Sequence, residues 1–168
     1  MKRIALAICL CLGMGISFVV ADEMKTDIKF PKDYKTFKNY LSMDQSQNHD
    51  QIIRIFANDI ALKGMKEKGV FPYGSVLTAE IYKAKLDKDG KVIESSLGRR
   101  IRSKLAVIAV MEKRKGASEK WTGDLNNGDW DFATFNPDGS VAKIDLKQCA
   151  ACHAPLKDTQ HVFSFDHF

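Results

Sequence analysis

Two cysteines and a histidine near the C-terminus form the pattern with the clearest chemistry in this chain. The run Cys149-Ala150-Ala151-Cys152-His153 has the form C-x-x-C-H, which is the attachment signature of c-type haem. Thiols three residues apart can both reach vinyl groups on one edge of a porphyrin, and the next residue then lies under the iron as its proximal ligand. The sequence therefore predicts one covalent haem c per chain, with thioethers to Cys149 and Cys152 and with His153 on the iron.

Two other uses of the cysteine pair stay open. A redox-active C-x-x-C of the thioredoxin type usually follows a strand early in a βαβ unit, whereas this pair lies close to the C-terminus. A zinc site needs a fourth ligand, and His161 and His167 are the nearest candidates. The spacing favours haem over both.

The sixth position of the iron decides what such a haem does. A Met or His there makes a six-coordinate electron-transfer cytochrome c, an empty apolar site binds gases, and acid–base groups make an oxidoreductase. Spacing does not choose among the candidate ligands, which are Met24, Met43, Met65, Met111, His49, His161 and His167.

The N-terminus has the layout of a secretory signal peptide. Lys2 and Arg3 precede an uncharged, mostly apolar run over 4–20, and Ala21 ends a small-residue cleavage site that is followed by acid. We expect cleavage after Ala21, a periplasmic domain over 22–168, and no membrane contact after cleavage; an uncleaved anchor is the alternative. Cleavage removes Lys2 and Arg3 and no acid, so the net charge falls from +5 to +3; export and this small charge argue against a nucleic-acid partner.

The elements that must position the motif can be predicted from composition and periodicity. A chain of 168 residues with 45% hydrophobic and 28% charged residues is typical of one soluble globular domain. Apolar residues at three- and four-residue steps predict a helix that opens at 30–34 and continues to Leu41, followed by a loop over 42–50. A strand over 52–56 precedes a helix that Asn58 caps and Gly69 ends.

The second half of the chain predicts strands joined by tight turns. Turn residues at 87–90 and 136–139 separate runs rich in β-branched and aromatic residues. The predicted strands are 76–86, 91–93, 105–111, 130–135 and 141–144, with 105–111 buried on both faces. The prediction is an α+β domain with a mainly antiparallel β-sheet, short N-terminal helices and a C-terminal haem segment.

Two basic clusters, 99–104 and 113–115, have two interpretations. A solvated loop at the end of a strand is the simpler one. Contact with an anionic group, such as a haem propionate or an acidic redox partner protein, is the other.

Four segments together resemble the cytochrome P-460 and cytochrome c′-beta family. Phe30-Pro31-Lys32-Asp33-Tyr34 with Phe37 is similar to that family's L-P-x-x-Y-x-x-W opening. The others are the run 69–76 leading to Glu80, the run 128–132, and the C-x-x-C-H run followed by Asp158 and 162–165. The resemblance covers nearly all of the chain after residue 21, in the family's order.

The resemblance implies a mainly β-sheet haem protein, a homodimer, with five-coordinate iron held by His153. The family has two branches. Cytochromes P-460 carry a lysine–haem crosslink and oxidise hydroxylamine with a distal carboxylate, whereas cytochromes c′-beta lack the crosslink and bind nitric oxide and carbon monoxide in an apolar distal pocket.

Two features of the sequence favour the cytochrome c′-beta branch. The crosslinking lysine of the resemblance falls at Ala79, and a shift of four residues would be needed to bring Lys83 there. The strand 105–111 has no carboxylate, and Glu112 comes only at its end. We therefore expect a gas-binding protein rather than an enzyme, with no catalytic acid or base and with Phe56 and Phe71 as candidates for a distal aromatic lid.

Overall fold

The computed structural model describes residues 26–45 and 48–168. The predicted signal segment and Met24 lie outside the described residues. Within those residues, no helix combines the length and the apolar character that crossing a membrane requires.

A five-stranded antiparallel sheet forms the body of the protein, and each strand pairs with the next one along the chain. The strands are β1 (Lys38–Asp44), β2 (Gln51–Ala57), β3 (Val76–Ala84), β4 (Arg102–Lys113) and β5 (Trp130–Phe135). Helix α1 (Asp59–Lys68) joins β2 to β3, and α2 (Leu146–His153) follows β5. The predicted α+β class with a mainly antiparallel sheet is confirmed.

Strand alternation gives the sheet two faces with different tasks. The register aligns Ile55 with Ala79 and Ala79 with Ala109, so these side chains share one face, here called the front face. On the other, the back face, Phe56 and Ile108 are buried in a cluster with Tyr34. Helix α2 packs with the front-face residue Phe132.

A buried carboxylate lies on the back face. Glu80 is 2% exposed, and it accepts hydrogen bonds from the Tyr34 hydroxyl at 2.8 Å, the Tyr82 hydroxyl at 3.0 Å and the Arg54 guanidinium at 3.2 Å. Burial of a charge is costly unless the charge is paired and hydrogen-bonded. These partners meet that requirement and tie β2, β3 and the segment before β1 together.

Helix α1 forms where its caps predict. The Asn58 side chain accepts a hydrogen bond from the Ala61 amide at 3.0 Å, and Gly69 ends the helix with a φ of 66°, in the left-handed region that glycine tolerates best. The predicted strands at β2, β3, β4 and β5 are also confirmed.

The predicted helix over 30–41 is wrong. Only Tyr34–Thr36 forms a single 3-10 turn, and Tyr40 and Leu41 belong to β1, which extends to Asp44 into the predicted loop. A β-bulge between Asn39 and Leu41 lets neighbouring apolar residues serve different contacts. Pairing with β2 outweighs a helical spacing that covers little more than two turns.

Two short predicted strands are only isolated bridges. In the 91–93 segment, Val92 pairs with Leu86, and in the 141–144 segment, Val141 pairs with Phe135. Strand β4 is also not buried on both faces: Ile108 and Val110 are buried on the back face, whereas its front-face positions are half-buried. The reason for that exposure is a cavity in front of the sheet.

The Tyr40 phenol makes folding sensitive to alkaline pH. Burial raises the pKa of Tyr40 to about 12, although its hydrogen bond with Ser164 partly opposes the shift. An unfolded tyrosine titrates near pH 10, so the unfolded state loses this proton first. The stabilisation is complete below about pH 10 and disappears as pH rises through about 12, with a total of roughly 2–3 kcal/mol. Urea unfolding from pH 8 to 12 should show that loss, and Tyr40→Phe should make it smaller than in the wild type.

Candidate functional site

A cavity of about 400 Å³ lies between the front face of the sheet, α2 and the C-terminal segment. This volume is within the range of roughly 300–1,000 Å³ usual for small-molecule and cofactor sites. Its lining comprises sheet residues and C-terminal residues: Leu41, Met43, Gln45, Ile53, Ile55, Leu77, Ala79, Ile81, Ala109, Val110, Met111, Phe132, Ala133, Cys149, Cys152, His153, Val162, Phe163, Ser164 and His167.

Helix α2 brings the three motif residues to this cavity. The Asp145 side chain caps the helix by accepting a hydrogen bond from the Lys147 amide at 3.0 Å, and Leu146 and Ala150 bury the inner side of the helix in the front-face core. Cys149, Cys152 and His153 all line the cavity. The structure therefore brings together the three residues that the sequence motif singles out.

His153 is arranged as a neutral ligand with one free nitrogen. Its Nδ1 lies 2.7 Å from the carbonyl oxygen of His161, so Nδ1–H donates and Nε2 keeps its lone pair. The His153 ring packs against two aromatic rings, with centroid separations of 5.3 Å to Phe132 and 5.0 Å to Phe163. Burial is the main cause that lowers the pKa of His153, which favours the neutral imidazole a metal requires.

The thiols do not have the environment of a thioredoxin-type pair. Burial raises the pKa of the Cys149 thiol, and the neighbouring Cys152 adds to the shift, whereas a redox nucleophile needs a lowered pKa. Cys149 lies in the middle of α2, away from the helix N-terminus that would stabilise a thiolate. In residues 26–45 and 48–168, no group of three or more His, Cys, Asp or Glu side chains could hold a metal ion, so the zinc alternative has no geometric support.

The donor set and the shape of the cavity fit a haem. Two thiols and a histidine with a bare Nε2 stand at one side of a mostly apolar cavity, as covalent attachment and axial ligation require. Phe163 is 56% exposed and Met43 is 36% exposed, and both line the cavity. A flat apolar macrocycle in this position would cover side chains that otherwise meet water.

The cavity lining reduces the set of candidate sixth ligands. Met43, Met111 and His167 line the cavity. Met65 instead packs against the front-face core, and His49 lies beside Arg100. The His161 Nδ1 interacts with the His153 carbonyl at 3.2 Å, so this histidine supports α2 from outside the lining.

Neither predicted lid residue lines the cavity. Phe56 points to the back face, where its ring meets Tyr34 at 5.6 Å, because it is one residue out of phase with Ile55 on the front face. Phe71 is 2% exposed and packs edge-on against Trp130 at 5.4 Å. The aromatic lining comes instead from Phe132 and Phe163.

Alternation along β3 places the position that the resemblance assigns to the crosslinking lysine on the cavity side of the sheet, and the next residue on the back face. Ala79 lines the cavity, and Glu80 points to the back face among its tyrosine partners. Lys83 shares the parity of Ala79, but its Nζ binds the Asp50 carboxylate at 2.7 Å, where both side chains are about 40% exposed. On β4, Glu112 follows the back-face parity of Ile108 and Val110.

The basic clusters lie away from the cavity lining. Arg99 and Arg102, with Arg54 and Asp44, line a second cavity of about 330 Å³ at back-face positions of the sheet. Arg99 Nε donates to the Asp44 carboxylate at 3.1 Å. Arg100, of the same cluster, also lines this second cavity. In the second cluster, the Lys113 ammonium lies 5.8 Å from the centre of the Trp130 ring.

Comparison with known proteins agrees with this site. The family model described as Cytochrome P460 matches residues 31–164, which includes the whole sheet, α2 and most of the cavity lining. No curated protein matches the chain. A cytochrome family implies a haem cofactor, and the cavity offers residues suited to hold one. From the match over 31–164, the chain belongs to the cytochrome P460 family.

Proposed function

We propose that this chain is a c-type haem protein that binds nitric oxide and carbon monoxide at five-coordinate iron, as the cytochrome c′-beta branch does. The observation that carries the proposal is the cavity lining. Among the described residues, it contains no lysine and no carboxylate. A hydroxylamine-oxidising cytochrome P-460 would need both.

The position of the motif at the cavity supports thioether attachment of the haem. Each thiol would add across a vinyl group, with sulfur bonding to one carbon and the thiol proton going to the other, so no leaving group is needed. The haem supplies the iron that binds the gas. His153 would hold that iron through Nε2 while the His161 carbonyl fixes the ring.

The apolar sheet face would select small neutral ligands. Ile55, Ala79 and Ala109 lie side by side there, and none of them offers a hydrogen-bond donor. Nitric oxide and carbon monoxide bind ferrous haem without a donor, whereas bound dioxygen gains from one. Anionic ligands would be costly to desolvate at the same place. We therefore expect gas sensing, storage or detoxification rather than catalysis.

A six-coordinate electron carrier is the second candidate, because a specific observation favours it. Met43, Met111 and His167 all line the cavity, and thioether or imidazole ligation would fill the sixth position. Met111 is partly buried against the front-face core, and Met43 and His167 are exposed.

We also propose, whichever ligand the iron binds, that the chain is exported to the periplasm and cleaved after Ala21. The proposal further includes a homodimer and a redox partner protein.

Gas binding separates the candidates in one titration of the purified holoprotein. We expect a high-spin ferrous spectrum with an ordinary Soret band that shifts on adding nitric oxide or carbon monoxide. A low-spin spectrum that does not respond would indicate a sixth ligand. A strongly red-shifted ferrous Soret, with a lysine-linked haem peptide in mass spectrometry, would contradict the proposal and support hydroxylamine oxidation.

A further inference from the structure

An unusual turn supplies the carbonyl that holds the proposed axial ligand. Gln160 has a φ of 52° and His161 has a φ of 63°. These two are the only non-glycine residues with positive φ in the described part of the chain, and they are consecutive. Side chains with a Cβ adopt this left-handed region rarely, and such positions persist only where the surroundings fix them.

Three hydrogen bonds to Gln160 fix the turn. Its carbonyl oxygen accepts from the Trp130 indole Nε1 at 2.9 Å. Its side-chain Nε2 donates to the Gly69 carbonyl at 2.8 Å, and its Oε1 accepts from the Phe71 amide at 3.1 Å. One residue thereby joins the C-terminal segment to strand β5 and to the loop that follows α1.

The next residue, His161, connects this turn to the proposed ligand His153. The His161 amide donates to the Leu156 carbonyl at 2.6 Å, and the His161 carbonyl accepts from His153 Nδ1 at 2.7 Å. The direction of that carbonyl depends on the backbone angles of Gln160 and His161. A hydrogen bond to the second nitrogen of a ligating histidine orients the ring and raises its basicity.

We propose that Gln160 is a positioning residue for the axial histidine: its clamp on the Gly69–Phe71 loop and on Trp130 holds the His161 carbonyl where it fixes the ring and donor strength of His153. The inference rests on the proposed function, since it requires His153 on the iron. According to this inference, Gln160 sets how strongly His153 stays bound to the iron when a gas binds at the other axial position.

The test uses a nearly isosteric change. Gln160→Met keeps the side-chain length and removes both of its hydrogen bonds. In the ferrous holoprotein we expect a lower iron–histidine stretching frequency by resonance Raman spectroscopy and an about tenfold or greater rise in the rate at which nitric oxide releases His153, at the low end of the 10–100-fold loss usual for outer-shell partners. Gln148→Met, at an exposed position of α2, is the matched control and should change neither quantity.

A second variant reaches the same carbonyl by another route. Trp130→Phe removes the indole donor to Gln160 and should shift both quantities in the same direction. In the haem-free protein, the His153 Nδ1 proton should exchange faster with solvent in both variants than in Gln148→Met. If a folded Gln160→Met holoprotein kept the wild-type stretching frequency and release rate, the role of Gln160 would be overturned but the proposed function would not. If the wild type showed no iron–histidine vibration, the proposed function itself would be overturned.

Discussion

Changing His153 to glycine should abolish axial ligation of the haem. The expected result is a holoprotein without the iron–histidine vibration, in which the thioethers alone retain the cofactor. Loss of an outer-shell partner already costs about 10–100-fold in metal affinity. Loss of the ligand itself should therefore weaken the hold on the iron by at least about 100-fold, measured as transfer of haem to a strong acceptor protein after the thioethers are also removed.

The geometry around His153 makes the loss reversible by a small molecule. The ring contacts Phe132 and Phe163, with centroids 5.3 Å and 5.0 Å away, so its removal leaves a space of imidazole size beside two aromatic rings. Free imidazole should enter this space and restore the five-coordinate spectrum. The same addition should not alter the wild-type protein at that position.

Two histidine variants serve as controls for this result. His49→Ala changes a residue beside Arg100 and should leave the spectrum unchanged. His167→Ala removes the one other histidine in the described cavity lining. If His167→Ala, rather than His153→Gly, removed the vibration, the assignment of the proximal ligand would be wrong.

Site residues could be predicted from the sequence where the residues that act together are close neighbours in the chain. Cys149, Cys152 and His153 are neighbours in the chain, so their spacing alone predicts a shared task, and one helix delivers all three to the cavity. Asn58 and Gly69 likewise act on the helix they flank. In each case the physical signal lies within a few residues.

Residues whose role depends on register were not predictable in the same way. Phe56 and Ile55 are adjacent, yet one packs with Tyr34 and the other lines the cavity, and a shift of one residue exchanges the faces. The segment that became β1 shows the same limit, because its apolar spacing suits a short helix as well as an edge strand. Only pairing with β2 decides between them.

The support for the proposed axial ligand, His153, was the least predictable part of the site. Left-handed backbone is usually signalled by glycine or asparagine, and neither occurs at Gln160 or His161. What stabilises the turn is a set of contacts with Trp130, Gly69 and Phe71, at sequence separations from 30 to 91 residues. No local pattern can encode a carbonyl direction that distant partners impose.

Removing the two thiols should produce the other large effect. In the double variant Cys149→Ala, Cys152→Ala, we expect complete loss of haem that survives denaturation, seen as loss of haem staining after denaturing electrophoresis and a polypeptide mass without the cofactor. Each single variant should keep one thioether and therefore one covalently bound haem. The difference follows because either sulfur alone forms a bond that unfolding does not break.

The fold should tolerate the loss of both thiols. The double variant therefore tests covalent haem attachment without changing the stability of the haem-free protein. Cys152 is exposed and Cys149 is only partly buried, and alanine favours the helical backbone that both residues adopt. We therefore expect the haem-free forms of the double variant and the wild type to unfold at similar urea concentrations. The matched control Gln148→Ala changes the residue beside Cys149 and should retain covalent haem.

The outcome also discriminates between the uses of the cysteine pair. If the thiols were a redox couple, the wild type would show reversible disulfide formation and the variant would lose it without any change in bound haem. If they formed thioethers, neither thiol in the wild-type holoprotein would react with an alkylating reagent, even after unfolding. Burial raises the pKa of Cys149, so its thiol is poorly suited to the redox role. We therefore expect thioether bonds at both cysteines and, because of those bonds, complete protection from alkylation.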